Sequence, residues 1–180
     1  MNLRLAALNV YLPAPVRDEG LHKLFRLTAD AFRAPLPDIE RLSHSEQLRA
    51  YAMFTQEQAQ RVKNEDVESV KERLFERSRR LGVELREKLH VGTFEESLTA
   101  ARILYRALGI DFRAHESGGV EVRRCYFSGF YSSQVCRLIS SLDEGLIAGL
   151  SDGGRLTFSA RISEGHDCCL ARIDIVKANQ

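Results

Sequence analysis

The chain has 180 residues, of which 44% are hydrophobic and 28% are charged, a composition typical of soluble globular proteins. With a formal net charge of +1, the chain lacks the broad excess of basic residues that is typical of nucleic-acid-binding proteins. No segment reaches the roughly 18 apolar residues that a membrane-spanning helix needs. We therefore expect one domain over residues 1–180, with neither a nucleic acid nor a membrane as partner.

The N-terminus and the cysteines bear on localisation. Arg4 interrupts the first apolar stretch and no clean cleavage site follows it, so we interpret this stretch as mature protein. The four cysteines are unevenly spaced, unlike the framework of a disulfide-rich secreted domain. These features predict a cytoplasmic protein with reduced thiols.

The first half of the chain carries helical patterns. All four prolines fall within the first 37 residues, and an amphipathic pattern predicts a helix over 18–33. Hydroxyl residues followed three positions later by Glu or Gln predict three further helix starts. These capping motifs pair Ser43 with Glu46, Thr55 with Gln58 and Thr93 with Glu96. The spacing of apolar residues then predicts helices over 56–90 and 94–108, with Gly82 as a weak point in the first.

After Gly109 the pattern changes from helical to alternating. Alternation over 110–123 around a Ser-Gly-Gly turn predicts a β-hairpin, and alternation over 155–176 predicts a second. Between them, residues 133–149 have the spacing of a buried helix. We therefore expect an α+β fold, in which a mainly helical portion (1–92) precedes a helix and a ββ-α-ββ unit (93–180) with an antiparallel sheet packed against helices.

The sulfur atoms raise three alternatives: core packing, metal ligation or catalysis. A free cysteine is often a small buried hydrophobe, and strand alternation places Cys169 with the apolar Ala171 and Ile173. Alternation places Cys125 with Glu121, away from the apolar side unless a bulge intervenes. Cys136 lies on a helical line that also contains Asp143.

Metal ligation lacks its usual sequence signal. No C-x2-C or H-x3-H pair is present, and the adjacent Cys168 and Cys169 point to opposite faces of a strand. A cluster of Cys125, Cys136 and Cys168, with His166 beside them, is the arrangement that a metal would need.

Catalysis by a cysteine requires a lowered thiol pKa. Cys136 lies in the first turns of its predicted helix, and Cys125 directly follows Arg124, so either thiol meets one condition for such a shift. His166 is a candidate base in the turn before Cys168. Asp143 is a candidate carboxylate on the helix.

The order of these residues resembles a known family. Cys125, Cys136 and Asp143, followed by 145-GLIAGL-150 and 162-ISEGHDCCLARI-173, are similar to the C-terminal part of the L-2-amino-thiazoline-4-carboxylic acid hydrolase-like family. Residues 74–114 resemble the helical region ahead of it. The G-x-x-C-C ending also resembles small-molecule-binding domains of the vinyl-4-reductase type and C-terminal domains of some bacterial iron–sulfur regulators. The likeness covers roughly residues 70–176.

The resemblance implies hydrolytic opening of a small ring that contains sulfur and nitrogen, with the cysteines and Asp143 near the substrate. The alternative is a non-enzymatic domain that holds a small molecule or a metal, and a purely structural role for all four thiols is the third. We expect the site between the two hairpins and the 133–149 helix. The expected catalytic residues are Cys125, Cys136, Asp143 and His166, and the expected ligand-binding residues are Cys168, Tyr126, Tyr131 and Arg124. The sequence identifies no cofactor, leaves a cysteine-bound metal open, and leaves a homodimer as one alternative for the assembly.

Overall fold

The computed structural model describes residues 2–175. Over these residues the chain forms six α-helices and four β-strands: α1 (Leu3–Val10), α2 (Ala14–Phe32), α3 (His44–Arg61), α4 (Val67–Lys88), α5 (Phe94–Ala107), β1 (Ile110–Ala114), β2 (Gly119–Cys125), α6 (Ser133–Leu150), β3 (Arg155–Ala160) and β4 (Cys169–Asp174). Three 3₁₀ turns lie at Asn64–Asp66, Tyr126–Gly129 and Ile162–Glu164. The helical first half and the following ββ-α-ββ unit confirm the predicted α+β class. None of the helices within residues 2–175 is both long enough and apolar enough to cross a membrane.

The four strands form one antiparallel sheet in the order β1-β2-β4-β3. Each predicted hairpin therefore forms, and the two hairpins join through β2 and β4, where Val120 lies opposite Ala171. The alternating apolar side chains of the strands, such as Phe112, Val122 and Ile173, are buried on one face. They pack with residues of α5 and the second half of α6 into one core cluster.

Helix α6 links this cluster to a second one among α2, α3 and α4. Its contact with α4 depends on three glycines, because a Cβ at Gly145 would collide with the Phe75 carbonyl oxygen and one at Gly149 with that of Arg79. Gly82 of α4 faces α6 in return, since its Cβ would lie 2.5 Å from the Leu146 carbonyl oxygen. Gly82, which the sequence marks as a weak point, thus permits a close approach of two helix backbones.

Two of the three predicted capping motifs start helices. Ser43 and Glu46 form a complete capping box at the start of α3. At the start of α5 the Thr93 hydroxyl accepts from the Glu96 backbone N–H, while the Glu96 carboxylate accepts from Gly92. In both cases side chains satisfy backbone N–H groups that have no partner inside the helix.

The prediction of a helix over 56–90 that starts at Thr55 is wrong. Thr55 lies inside α3, and its buried hydroxyl donates back to the Tyr51 and Ala52 carbonyl oxygens. The chain leaves the helix at Val62, which is extended, and α4 begins at Val67. A mid-helix threonine can bond to the preceding turn in this way, so a motif of hydroxyl and Gln alone does not identify a helix start.

The N-terminal region is also more helical than predicted. Pro15 lies in the first turn of α2, where a proline costs no intrahelical hydrogen bond, so this helix starts at Ala14 instead of residue 18. Ahead of it the sequence patterns do not predict α1. The Asn2 side chain caps this helix and also donates to the Leu89 carbonyl oxygen, which ties α1 to the end of α4.

Candidate functional site

A small cavity lies between α6, the end of β2 and the helices that cover them. We call it the sulfur cavity, because its lining includes Cys125, Cys136 and Cys169. Its volume is about 100 Å³. The rest of the lining is mainly apolar, apart from three tyrosines, four serines and Asp143. The structure therefore gathers three of the four sulfur atoms around one space, at the place predicted between the hairpins and the 133–149 helix.

Cys125 reaches this cavity because β2 is irregular. Ile110 pairs with Cys125 and Phe112 with Val122, so two residues of β2, Arg123 and Arg124, lie opposite the single residue Asp111. This is the β-bulge that Cys125 needs in order to face the apolar side of the sheet. The extra residue turns the thiol from the outer face of the sheet toward the cavity.

Cys169 and Cys168 separate as adjacent strand residues do. Cys169 faces inward beside the core residues of β4 and accepts a hydrogen bond from the Ile162 backbone N–H at 3.4 Å. Cys168 does not line the cavity. The expected set of Cys125, Cys136 and Cys168 is thus replaced by one that contains Cys169, the cysteine for which strand alternation favoured core packing.

Asp143 is the one acidic residue that lines the cavity. Its Oδ1 accepts a hydrogen bond from the Tyr105 hydroxyl at 2.9 Å, and Oδ2 has no hydrogen-bond partner within residues 2–175. The pKa of Asp143 is raised from 3.8 to about 6: burial is the main cause and the charge of Glu144 adds to it, while the Tyr105 hydrogen bond and Arg161 oppose the rise. The carboxylate therefore changes charge close to neutral pH and offers a free acceptor.

Two thiols of the cavity, Cys125 and Cys169, are poor nucleophiles for the same physical reason. Burial is the main cause that raises the pKa of both thiols, and the charge of Asp143 also raises it, against hydrogen bonds from backbone N–H groups that lower it. The resulting pKa of Cys125 is about 12. Both thiols are therefore protonated at neutral pH, and the proximity of Arg124 in sequence does not activate Cys125 as a thiolate.

Three buried tyrosines complete the polar lining, and each hydroxyl has a partner. Tyr105 donates to Asp143, Tyr51 bonds to Thr28 at 3.0 Å, and Tyr131 bonds to Thr55. Tyr131 is among the residues predicted to bind a ligand, and it lines the cavity. Sequence reasoning missed Tyr51 and Tyr105. Their signal is a hydroxyl on an otherwise apolar helix face, which needs a partner when it is buried.

Unpartnered polar atoms lie next to this cavity. The Ser163 hydroxyl, which belongs to a lining residue, and Arg161 Nε are both buried without a hydrogen bond within residues 2–175. The Arg161 guanidinium stacks over the Phe158 ring at 4.3 Å. Buried polar atoms usually have partners, so a donor and a hydroxyl left free on this side leave room for a bound polar group.

Three other predicted site residues lie away from the cavity. His166 is exposed in the turn before β4 and is not part of the lining. Arg124 and Tyr126 line an open groove on the outer surface, together with Arg102 and Arg106 of α5. Cys125 and Ile110 lie between this groove and the sulfur cavity, since they line both.

A metal centre is not assembled by the expected ligands. Within residues 2–175, no group of three or more His, Cys, Asp or Glu side chains is placed to hold a metal ion. Cys168 and His166, two members of the expected cluster, do not line the cavity that contains Cys125 and Cys136.

Two comparisons with known proteins found no match to the chain. No protein-family model matches the chain, and no curated protein shows significant similarity to it. The resemblance to thiazoline-carboxylate hydrolases stays a prediction from the residues that suggested it.

Proposed function

We propose that the protein binds a small, largely apolar molecule in the sulfur cavity, with an N–H or O–H group of the ligand donating to Asp143. The observation that carries this proposal is the free Oδ2 of a half-buried carboxylate that lines the cavity, next to the protonated Cys125 thiol and apolar side chains. Ligand sites typically combine an apolar lining with a few polar groups that fix orientation.

The size of the cavity limits the ligand. An engineered cavity of about 150 Å³ accommodates benzene, and the sulfur cavity measures about 100 Å³. A ring compound no larger than benzene, about six non-hydrogen atoms including its substituents, is therefore the largest rigid body that matches it without movement of the lining.

The charges around the cavity favour a neutral or cationic ligand over an anion. Among residues 2–175, Asp143 is the lining residue with a charge, and Arg161 beside the cavity already offsets part of that charge. A carboxylate group on the ligand would bring a second negative charge next to Asp143 without a cation of its own, which is costly at low dielectric. A cyclic amidine or amide fits better than an acid such as thiazoline-4-carboxylic acid.

Hydrolysis of such a ring is the second candidate, and the pKa of Asp143 near 6 favours it. A general base works best when its pKa lies near the working pH. In this reaction Asp143 Oδ2 takes a proton from water as the water oxygen bonds to the amidine carbon. The ring C–N bond then breaks as the C=O bond forms, the proton on Asp143 passes to the leaving nitrogen, and the hydroxyl proton of the intermediate returns to Asp143. Cys125 has no role as a thiolate in this scheme.

Ligand-observed NMR and calorimetry with three matched rings test the binding proposal. We expect cyclopropanecarboxamidine and 2-amino-2-thiazoline to bind and cyclopropanecarboxylate, which has the same size as the amidine, not to bind. Asp143→Asn should weaken amidine binding about 10- to 100-fold, the usual range for a hydrogen bond to a charged group. Asp152→Asn is the control, because Asp152 lies in the exposed turn after α6, where it pairs with Arg86 at the surface and has a positive φ that Asn tolerates. Equal affinity for cyclopropanecarboxylate and cyclopropanecarboxamidine would contradict the proposal.

Mass spectrometry of the 2-amino-2-thiazoline mixture separates the two candidates. Ring opening adds one water and would be lost in Asp143→Asn, whereas binding without a mass change supports the non-enzymatic candidate. Turnover that persists in Asp143→Asn would contradict the role given to this carboxylate.

A further inference from the structure

A second cavity lies on the other side of four leucines from the sulfur cavity. We call it the leucine cavity; α1, α2, α4 and α5 surround it, and its volume is about 140 Å³. Leu24, Leu81, Leu108 and Leu146 line both cavities and therefore form the partition between them. Its interior is almost wholly aliphatic, so it suits a hydrocarbon and not a ring with polar substituents.

Gly20 marks the mouth of this cavity. It lies in the interior of α2, where a glycine costs roughly 0.5–1 kcal/mol relative to alanine. Unlike the three glycines between α4 and α6, it has no packing reason, since an added Cβ would have no atom within 4 Å. Gly20 is exposed and belongs to the cavity lining. The missing side chain leaves open space where the cavity meets the surface.

The charged residues at the same mouth are arranged around a carboxylate. Lys23 Nζ and Lys88 Nζ lie 3.6 Å and 3.9 Å from Glu19 Oε1, and all three residues line the cavity. Lys23 Nζ also contacts Glu84 Oε1 at 2.5 Å, so Lys88 is the lysine that depends on Glu19 for its partner. Arg17 of the lining pairs with the adjacent aspartate. Glu19 and Lys88 are 57% and 61% exposed, so this contact is loose and open to exchange.

We propose that the leucine cavity binds the alkyl chain of a medium-chain carboxylic acid. The acid's carboxylate takes the place of the Glu19 carboxylate between Lys23 and Lys88, and the chain passes Gly20 toward the leucine partition. The space holds about as much as a benzene-sized cavity, so roughly six carbons of the chain are buried. This site is independent of the ligand proposed for the sulfur cavity.

Calorimetry of the full chain with octanoate, octanol and octylamine tests the head group. We expect octanoate to bind best and octylamine not to bind, because two lysines flank the position of the head group. Octanoate should bind about fourfold more tightly than hexanoate, since the cavity holds one more methylene than hexanoate supplies and each buried methylene contributes a factor of about four. Octanol binding as tightly as octanoate would overturn the assignment of the carboxylate position.

Three variants test the position of the site. Gly20→Leu should weaken octanoate binding at least about tenfold, because the leucine side chain fills the mouth. This variant should fold, since leucine is a better helix former than glycine. Glu19→Gln should tighten octanoate binding about twofold to fivefold and Lys88→Gln should weaken it by a similar factor, the size of an exposed ion pair.

Lys63→Gln is the matched control, because Lys63 carries the same charge in the exposed segment after α3 and is not part of the lining. Unchanged octanoate binding in Gly20→Leu would overturn the proposal. Binding of 2-amino-2-thiazoline to the sulfur cavity should be the same in Gly20→Leu as in the natural chain. If octanoate binding alone is lost, the site proposed here has been affected. If 2-amino-2-thiazoline binding alone is lost, the function proposed for the sulfur cavity has been affected.

Discussion

Replacement of Asp143 by Asn should stabilise the folded protein at neutral pH. The pKa of this carboxyl is about 6 in the folded state, against 3.8 without the effect of burial. Each pKa unit corresponds to about 1.36 kcal/mol, so the ionised carboxylate costs the folded state about 3 kcal/mol at pH 7 and above. Asn can still accept the Tyr105 hydrogen bond, and it carries no charge into the cavity.

The sign of the pH dependence follows from this raised pKa. The folded protein holds the Asp143 proton up to about pH 6, while the unfolded chain releases it near pH 3.8. The contribution of Asp143 to stability is therefore fully present below pH 3.8, and it is lost as the pH rises through about 6. The free-energy difference between Asp143→Asn and the natural chain should grow by about 2.5 kcal/mol from pH 4 to pH 8, because a small part of the change already occurs below pH 4.

Urea denaturation at a series of pH values from 4 to 8 measures this difference. Other titrating groups cancel because both proteins carry them, and Asp152→Asn gives the baseline for loss of an exposed carboxylate at the end of the same helix. Two parallel curves for the natural chain and Asp143→Asn would refute the reasoning. A carboxylate that lowers stability by this amount is typical of a residue retained for function.

Further predictions concern the thiols, the helix contact and the capping residues. Cys125 should react with iodoacetamide at pH 8 about a thousandfold more slowly than an ordinary thiol, because its pKa is raised from 9.0 to about 12. Peptide mass spectrometry measures the rate, and fast alkylation would contradict the raised pKa. Gly145→Ala should destabilise the fold by at least about 3 kcal/mol in urea denaturation. Gly20→Ala should instead stabilise it by up to about 1 kcal/mol. Equal effects of the two substitutions would show that α4 and α6 do not pack closely. Ser43→Ala should cost about 1 kcal/mol as the loss of a helix cap, and no change in the urea midpoint would contradict the capping box.

Much of the fold could be predicted because its elements have strong periodic patterns. Helices α5 and α6 keep their helical spacing over their whole length, the hairpins alternate along most of theirs, and turn residues separate these elements. The break between α3 and α4 could not be found in this way. Apolar residues continue at helical spacing across it, and no proline or glycine interrupts residues 62–66.

The position of Cys125 depended on tertiary structure. Strand alternation alone places it on the outer face, and the bulge opposite Asp111 reverses this. A bulge is a property of the pairing of two strands, so the sequence of one strand cannot show whether the bulge forms. Cys169 shows a different limit of the sequence pattern. Its inward orientation was predicted correctly and was interpreted as core packing, but the same orientation also brings its thiol to the cavity.

The partners of Asp143 were beyond sequence reasoning for a related reason. Tyr105 lies 38 residues before Asp143 and reaches it only through the packing of α5 against α6. The leucine cavity is likewise formed by helices distant in sequence, and only the unexplained Gly20 within a helical pattern could have indicated it.

The most direct measurement is the titration of the Asp143 side-chain carboxyl carbon by NMR, with and without 2-amino-2-thiazoline. We predict a pKa near 6 in the free protein, and a lower value with the ligand, because an N–H donor on Oδ2 favours the ionised form. A pKa near 3.8 that does not change with ligand would contradict the account of this cavity as a binding site.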